Sequence, residues 1–408
     1  MQYRASKLEE VADIVDSLHK TPSYANSGHP MVRVTDVKYG FLDLSNTLRV
    51  DDQTYLEFSR RYKPAKSDII VTRVGTYGIF SKVKDTHFCL GQNTAAIVPK
   101  SINAEYLYAA LNSAFVRKQI EASVVGSTQK TLSLKLIGKL EIPRLEEKYE
   151  LEIADFSSCL DNRIALLRDT SSTLEAIAKV LFKSWFVDFD PVRAKQQGKK
   201  PEGMDEATAA LFPESFEQSE LGEIPKGWKV KKFEEFIQRL PVGKKFDQKT
   251  ASAKGLIPIL DQGKSGIIGY HNEVAGVNAT LDKPVVVFAN HTCYMRLISY
   301  DFSAIQNVLP FCGNKVDTVW SFFATKDRIK FTEYKGHWPD FAIEKAVVPS
   351  FELTDAFRKA IDPLMRRSRV NDLQAQSLAN IRDTLLPRLL SGQIKLPNAE
   401  EQIEVVSA

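Results

Sequence analysis

The chain of 408 residues has four cysteines and six histidines. Cys89, Cys159, Cys293 and Cys312 show no paired spacing, which argues against a disulfide framework or a zinc site and fits a reducing cytosol. The histidines are scattered, with no His-Glu-x-x-His and no His/Cys cluster at metal-ligand spacing. No run approaches the roughly 18 apolar residues of a membrane span. Met1-Gln2-Tyr3-Arg4 leads into an amphipathic stretch and not a signal peptide, so the expectation is a cytoplasmic protein without membrane contact.

Catalytic motifs are equally sparse. No Gly-x-Gly-x-x-Gly follows a strand, so a nucleotide or methyl-donor cradle is missing. Gly263-Lys264-Ser265 resembles the end of a phosphate loop, but Pro258 stands where its first glycine belongs. Asp188-Phe189-Asp190-Pro191 lacks the second proline of the Asp/Asn-Pro-Pro-aromatic motif of base methyltransferases, and it ends a helical pattern. Pro339-Asp340 with Glu344-Lys345 lacks the carboxylate–lysine spacing of a nuclease core. The expectation is a chain with no metal site, no bound cofactor and no catalysis of its own.

Composition is that of an ordinary globular protein, 43% hydrophobic and 26% charged, which argues against disordered, collagenous and membrane classes. The length suits two or more domains. A net charge of +4 hides an asymmetry. Residues 1–148 hold 21 Lys+Arg against 16 Asp+Glu, residues 224–350 hold 18 against 12, and the remainder holds 16 against 23. Two basic blocks on an acidic framework make a modest footprint for a polyanion, and also an ordinary surface charge.

The chain is written twice. Residues 228–235, Trp-Lys-Val-Lys-Lys-Phe-Glu-Glu, echo residues 3–10, Tyr-Arg-Ala-Ser-Lys-Leu-Glu-Glu. In 1–148, residues 68–74 (Asp-Ile-Ile-Val-Thr-Arg-Val) read as a buried strand ended by a turn at Gly75-Thr76-Tyr77-Gly78, and 105–121 as a helix. Residues 224–350 repeat this block: Pro284-Val285-Val286-Val287-Phe288 matches the strand, and Gln306-Asn307 matches Gln92-Asn93.

After each block comes a long helix. Ile153, Leu160, Leu167, Leu174 and Leu181 recur every seven residues, with Ser157, Ile164, Ser171, Ala178 and Trp185 between them. At 1.5 Å per residue this rod is about 50 Å long. Asp190-Pro191 is expected to end it. Residues 191–223 read as a linker. At an offset of 204, Phe357, Leu364, Asn371, Leu378 and Leu385 repeat the first row, and Ile361, Ser368, Ala375, Arg382 and Leu389 the second. Asn371 and Arg382 interrupt this apolar seam, and Pro363 and Pro387 are expected to kink the helix or mark its ends. The domain reading is therefore 1–148, a helix over 149–190, the linker, 224–350, a helix over 351–392 and a tail over 393–408. The fold class is α/β, two globular domains joined by two long helices that pair antiparallel as a coiled coil, in a pseudo-two-fold repeat.

Leu221-Gly222-Glu223-Ile224-Pro225-Lys226-Gly227-Trp228, Leu174 to Phe189 with Trp185-Phe186-Val187-Asp188-Phe189, and Arg382-Asp383-Thr384-Leu385-Leu386-Pro387-Arg388-Leu389-Leu390-Ser391-Gly392 carry a family likeness. With Asp68 to Gly78 and Gly91-Gln92-Asn93-Thr94-Ala95, they make the chain resemble the specificity subunit of type I restriction–modification systems. The resemblance spans essentially the whole chain. It implies a non-catalytic subunit that reads two halves of a double-stranded DNA target. It further implies that the helices set the spacing and dock two modification (methyltransferase) subunits, with restriction (endonuclease/translocase) subunits in the complex. S-adenosylmethionine and ATP/Mg would then sit on the partners, and the methylated base would be adenine.

Lys/Arg suit phosphates, and Asn, Gln, Arg and Ser/Thr suit base edges. The candidate DNA contacts of the first block are Arg73, Thr76, Tyr77, Gln92, Asn93, Ser127, Thr128, Gln129 and Lys130. Gln92 and Asn93 equally suit a turn, and Tyr77 equally suits the core. Those of the second block are Lys264, Ser265, Tyr270, His271, Asn290, His291, Lys335, His337 and Trp338. In the second block, residues 289–294 replace the glycine turn of 73–78. Leu174, Ile177, Leu181, Trp185, Leu378, Ile381, Leu385 and Leu389 are seam or partner-docking positions. A coiled-coil scaffold whose basic domains bind protein, or a standalone DNA-modifying enzyme, are the alternatives.

Overall fold

A computed structural model of the chain describes residues 4–123, 130–263, 266–333 and 335–396. The chain divides into two compact units, one built from residues up to Thr170 and from Asn371 onward, the other from Ser171–Val370.

The first unit is built on a five-stranded sheet in the order Ala12–Asp16, Thr94–Pro99, Ile69–Thr72, Phe80–Lys82, Gly40–Phe41. The apolar run at 69–71 forms the central strand, and all of its residues are buried because both faces are covered. Ile69 and Val71 face Tyr106, Leu107 and Ala110 of the helix Ala104–Leu111, which Asn103 caps with bonds to the Glu105 and Tyr106 amides. Ile70, on the alternate face, packs with Val32, Leu90 and Ala96. There a smaller sheet runs Leu48–Val50, His29–Val32, Cys89–Leu90. Arg4–Lys7 pairs antiparallel with Glu141–Arg144, closing the module just before the first long helix, Glu147–Phe186.

The second unit repeats the plan. Its main sheet runs Ile237–Arg239, Val308–Gly313, Val285–Ala289, Met295–Ile298, the same order less the edge strand. Its smaller sheet is Ile267–His271, Ile257–Leu260, Ser303–Ala304, and Lys229–Lys232 pairs with Lys345–Val348 as the closing ribbon. Asp317 caps the helix Thr318–Thr325 as Asn103 does its counterpart.

The long helices, Glu147–Phe186 and Phe351–Leu390, have 40 residues each, about 60 Å at 1.5 Å per residue. Each contributes a stretch to both units. In the first unit, Ile153 and Ala154 cluster with Leu385 and Leu389, and Ile164 and Leu167 with Ala375 and Leu378, so the stretches run antiparallel. In the second unit, Ser171 Oγ donates to the Ser368 carbonyl at 3.3 Å, while Phe182, Trp185 and Phe186 surround Phe357 at 5.4–5.9 Å between ring centroids, again antiparallel. Trp185, Leu385 and Leu389 are buried, and Leu174, Leu181, Leu378 and Ile381 are partly buried. Ile177 lies one residue off the seam and is 49% exposed.

Several expectations need correction. Pro363 and Pro387 do not end the second helix, which runs through both. The first helix stops at Phe186, before Asp190-Pro191; Phe189 is left-handed (φ 57°), and Pro191 sits in the first turn of a new helix, Asp190–Gln196, where its missing N–H costs nothing. The segment 191–223 is not a bare linker. Val192 and Phe212 are buried beside Trp185 and Trp228, and Phe216–Ser219 forms a hairpin with Gly222–Pro225.

Candidate nucleic-acid interface

In the first unit, four loops meet beyond the central strand. The Arg73 amide donates to the Asn93 carbonyl at 2.9 Å, the Leu132 amide donates to the Arg73 carbonyl at 2.8 Å, and the Gly91 amide donates to the Val32 carbonyl at 2.8 Å. The loops 33–40, 73–79, 91–93 and 130–132 therefore form one surface. Thr76 and Lys130 are exposed on it, Gln92 and Asn93 are partly buried, and Tyr77 packs against the core. Asn93 is left-handed (φ 65°), as the turn reading of the Gln-Asn pair implies. Ser127, Thr128 and Gln129 lie outside the described residues.

The Arg73 side chain is turned inward. It pairs with Asp16, donates to the Leu132 carbonyl at 3.4 Å, and is 11% exposed. As it stands it braces the loops and presents no free guanidinium.

Residues of 33–40 on this surface escaped the sequence reading, because the strand His29–Val32 before them carries too short a pattern to stand out. Arg33 makes a two-pronged bond to Asp36 (3.1 and 3.2 Å), and that bond raises the guanidinium above its ordinary pKa. The Tyr39 hydroxyl accepts from Arg117, whose guanidinium lies 5.3 Å from the ring centre.

The second unit reproduces this backbone with other side chains. The Asn290 amide donates to the Asn307 carbonyl at 2.9 Å, and the His337 amide donates to the Asn290 carbonyl at 2.9 Å. Asn290 thus stands where Arg73 does, and Asn307 (φ 66°) where Asn93 does. The Asn290 carboxamide oxygen accepts from the Trp338 amide at 2.8 Å. His291 Nδ1 donates to the Lys335 carbonyl at 2.8 Å, and the His291 amide donates to Gln262 Oε1 at 2.9 Å. Lys335 is exposed; hydrogen bonds to Glu333, and then to Asp340, hold its ammonium above the ordinary lysine pKa. Trp338 packs on Phe288 and Phe341 with the Arg239 guanidinium 5.1 Å over its ring.

Two of the proposed contacts are structural. His271 is 6% exposed, stacks on Phe246 at 4.0 Å, donates from Nε2 to Ser303 Oγ and accepts the Glu273 amide on Nδ1. His337 is 1% exposed and donates to the Glu333 carbonyl. Tyr270 and His271 also sit at the far end of their strand, His271 opposite Ile257, away from Gln262. Their alternation in a short strand carries no sign of which end meets the loops. Lys264 and Ser265 lie outside the described residues.

Among the described residues, no three or more His, Cys, Asp or Glu are grouped to hold a metal ion, and no helix is long and apolar enough to cross a membrane. The surfaces therefore offer cations and amide or hydroxyl groups on a braced backbone, a set suited to phosphates and base edges.

Residues 2–176 match the family described as the type I restriction modification DNA specificity domain. The chain is 26% identical over 327 residues to the HindI specificity subunit of Haemophilus influenzae, covering 62% of this chain and 69% of that one. It is 22% identical to the MjaIX specificity subunit of Methanocaldococcus jannaschii, over 96% of this chain and 93% of the other. Over residues 2–176 the chain is thus similar to type I restriction–modification DNA specificity domains, and over most of its length to two type I specificity subunits. The crystal structure of the type I restriction–modification system S subunit from M. genitalium aligns over 95% of this chain and 96% of its own, with 16% identity and a TM-score of 0.49. The family match ends early in the second unit, at residue 176. Beyond it, the second unit repeats the sheet order and loop bracing of the first.

Proposed function

We propose that each module reads one half of a bipartite double-stranded DNA target. In this reading the long helices set the gap between the halves and dock two modification (methyltransferase) subunits. Restriction (endonuclease/translocase) subunits join through these. The chain itself is non-catalytic, and S-adenosylmethionine and ATP/Mg belong to the partners.

One observation carries the reading. The two units share sheet order and loop bracing, yet the side chains on those loops differ, with Thr76, Gln92 and Lys130 in one and His291 and Lys335 in the other. A duplicated enzyme would keep its chemical groups in both copies; this chain keeps the scaffold and changes the reader. Thr76, Gln92 and Lys130, with Ser127, Thr128 and Gln129, are the proposed contacts of the first module. Asn290, His291 and Lys335, with Lys264 and Ser265, are those of the second.

Methylation-site mapping of the assembled complex tests it. Replacing residues 1–148 by another recognition domain is expected to change one half-site and leave the other. A swap that changes both half-sites, or neither, defeats the model. A scaffold that binds only protein would show no salt-sensitive, sequence-selective DNA binding.

A further inference from the structure

Arg296 lies in the strand Met295–Ile298, opposite Val287. Among the described residues it makes no ion pair with a carboxylate. Instead Nη1 donates to the Gly266 carbonyl at 2.8 Å and Nη2 to the Asp261 carbonyl at 2.7 Å. One planar fork thus joins both ends of the loop 261–266, across which the Asp261 amide also donates to the Gly266 carbonyl at 3.2 Å. The grip extends outward: Gln262 accepts the His291 amide on its side chain and the Thr292 hydroxyl on its carbonyl, at 2.9 and 2.6 Å. Arg296 therefore holds Gln262, and Gln262 holds the turn that carries His291.

The first module does the same with a different residue. Ile70 opposes Ser81 as Val287 opposes Arg296. Ser81 Oγ accepts the Lys38 amide at 2.9 Å and donates to the Lys38 carbonyl, gripping the loop 33–40. That loop follows His29–Val32, as 261–266 follows Ile257–Leu260. The same sheet position latches the same loop twice, by a short hydroxyl where the loop lies close and by a long fork where it must span two carbonyls. Holding a half-buried guanidinium on carbonyls without a direct ion pair is costly: burial lowers its pKa, and the nearby Asp261 charge and the Tyr294 ring, 5.9 Å away, offset this only in part. A core position with no task would be filled more cheaply by an apolar side chain.

We propose that Arg296 is a positioning residue for base reading, fixing Gln262 and the turn that carries His291 in the placement in which the second module discriminates its half-site, and that Ser81 is its counterpart in the first. The inference rests on the two-reader function proposed above. The test offers the full chain, assembled with its modification subunits, a pool of double-stranded DNA with a randomised stretch, and sequences the bound fraction. Wild type is expected to select two blocks of fixed bases. Arg296→Lys keeps the charge, but an ammonium cannot fork between the two carbonyls. It is expected to lower base discrimination in one block by about tenfold, the size of losing one good base contact, and to leave the other block unchanged. Ser81→Ala is expected to do the reverse. If Arg296→Lys selects the wild-type blocks, the latch is wrong while the two-reader function stands. If it loses both blocks together, Arg296 merely supports folding and the proposal falls. A wild-type chain that selects no pair of blocks removes the two-reader function, and the latch with it.

Discussion

Asn93 and Asn307 show how a single residue type is chosen by backbone geometry. Both are left-handed, and both serve the neighbouring loop through their carbonyls. The doublet was visible in the sequence, and the left-handed φ of each asparagine makes it a turn. Two predictions belong at this scale. Cys89 is fully buried, and burial pushes its thiol up to about 12, whereas Cys159 is exposed. Iodoacetamide at about pH 8 should therefore modify Cys159 and spare Cys89 in the native chain. Peptide mass spectrometry checks this, and equal labelling would contradict it. Asp51, Asp205 and Asp247 each accept the amide three residues on, which holds their carboxyls below the ordinary aspartate range. A depressed folded pKa gives stability that is present above the unfolded value and lost as pH falls through the folded one. The loss therefore falls below about pH 4. Asp51→Asn keeps an acceptor at the helix cap and is expected to flatten that acid limb, read as urea midpoint against pH.

At the scale of elements, the long helices were the most legible part, because a seven-residue seam repeated at one offset leaves few alternatives. What the seam residues meet was not legible. Arg382 reaches Asp161 at 2.7 Å, Asp161 also faces Lys82 at 3.4 Å, and Lys82 reaches Glu105 at 2.8 Å. Side chains of Lys82 and Asp161 are only 3% and 4% exposed. This buried cluster binds the first module's sheet to stretches of both helices. At the position repeating Arg382 the other unit has buried Ala178, among Phe182, Trp185 and Trp320. Asp161→Leu takes one of two carboxylate partners from each cation, leaving Lys82 with Glu105 and Arg382 with Asp383, and should cost about 1–3 kcal/mol in chemical unfolding. A triple variant with Lys82→Met and Arg382→Met added should recover most of that loss, and failure to recover would show that the charges themselves are needed. Asn371 is fully buried with neither amide atom bonded among the described residues, a polar seam position of the kind that fixes register at some cost in stability.

For the whole molecule, the doubling seen in the sequence is a doubling of scaffold, with latches and strand-end residues exchanged between copies. If the helices set the gap between half-sites, one heptad inserted at matched positions of both should lengthen the target spacer. The added rise is about 10 Å, roughly three base pairs. Methylation mapping reads the spacer directly, and an unchanged spacer would remove the helices from that role.

The sequence by itself determined what is periodic or local: two copies, buried central strands, the long helices and their seam, and the turn at each Gln-Asn. These follow from apolar spacing and backbone preference, which neighbouring residues decide among themselves. Only the tertiary structure decided which polar side chains are spent internally. Arg73, His271 and Arg296 look like ligands in a list of residues, yet the side chain of each is engaged by groups far away in the chain. A buried polar group must find its partners wherever the fold brings them, and sequence spacing carries no record of those long-range meetings.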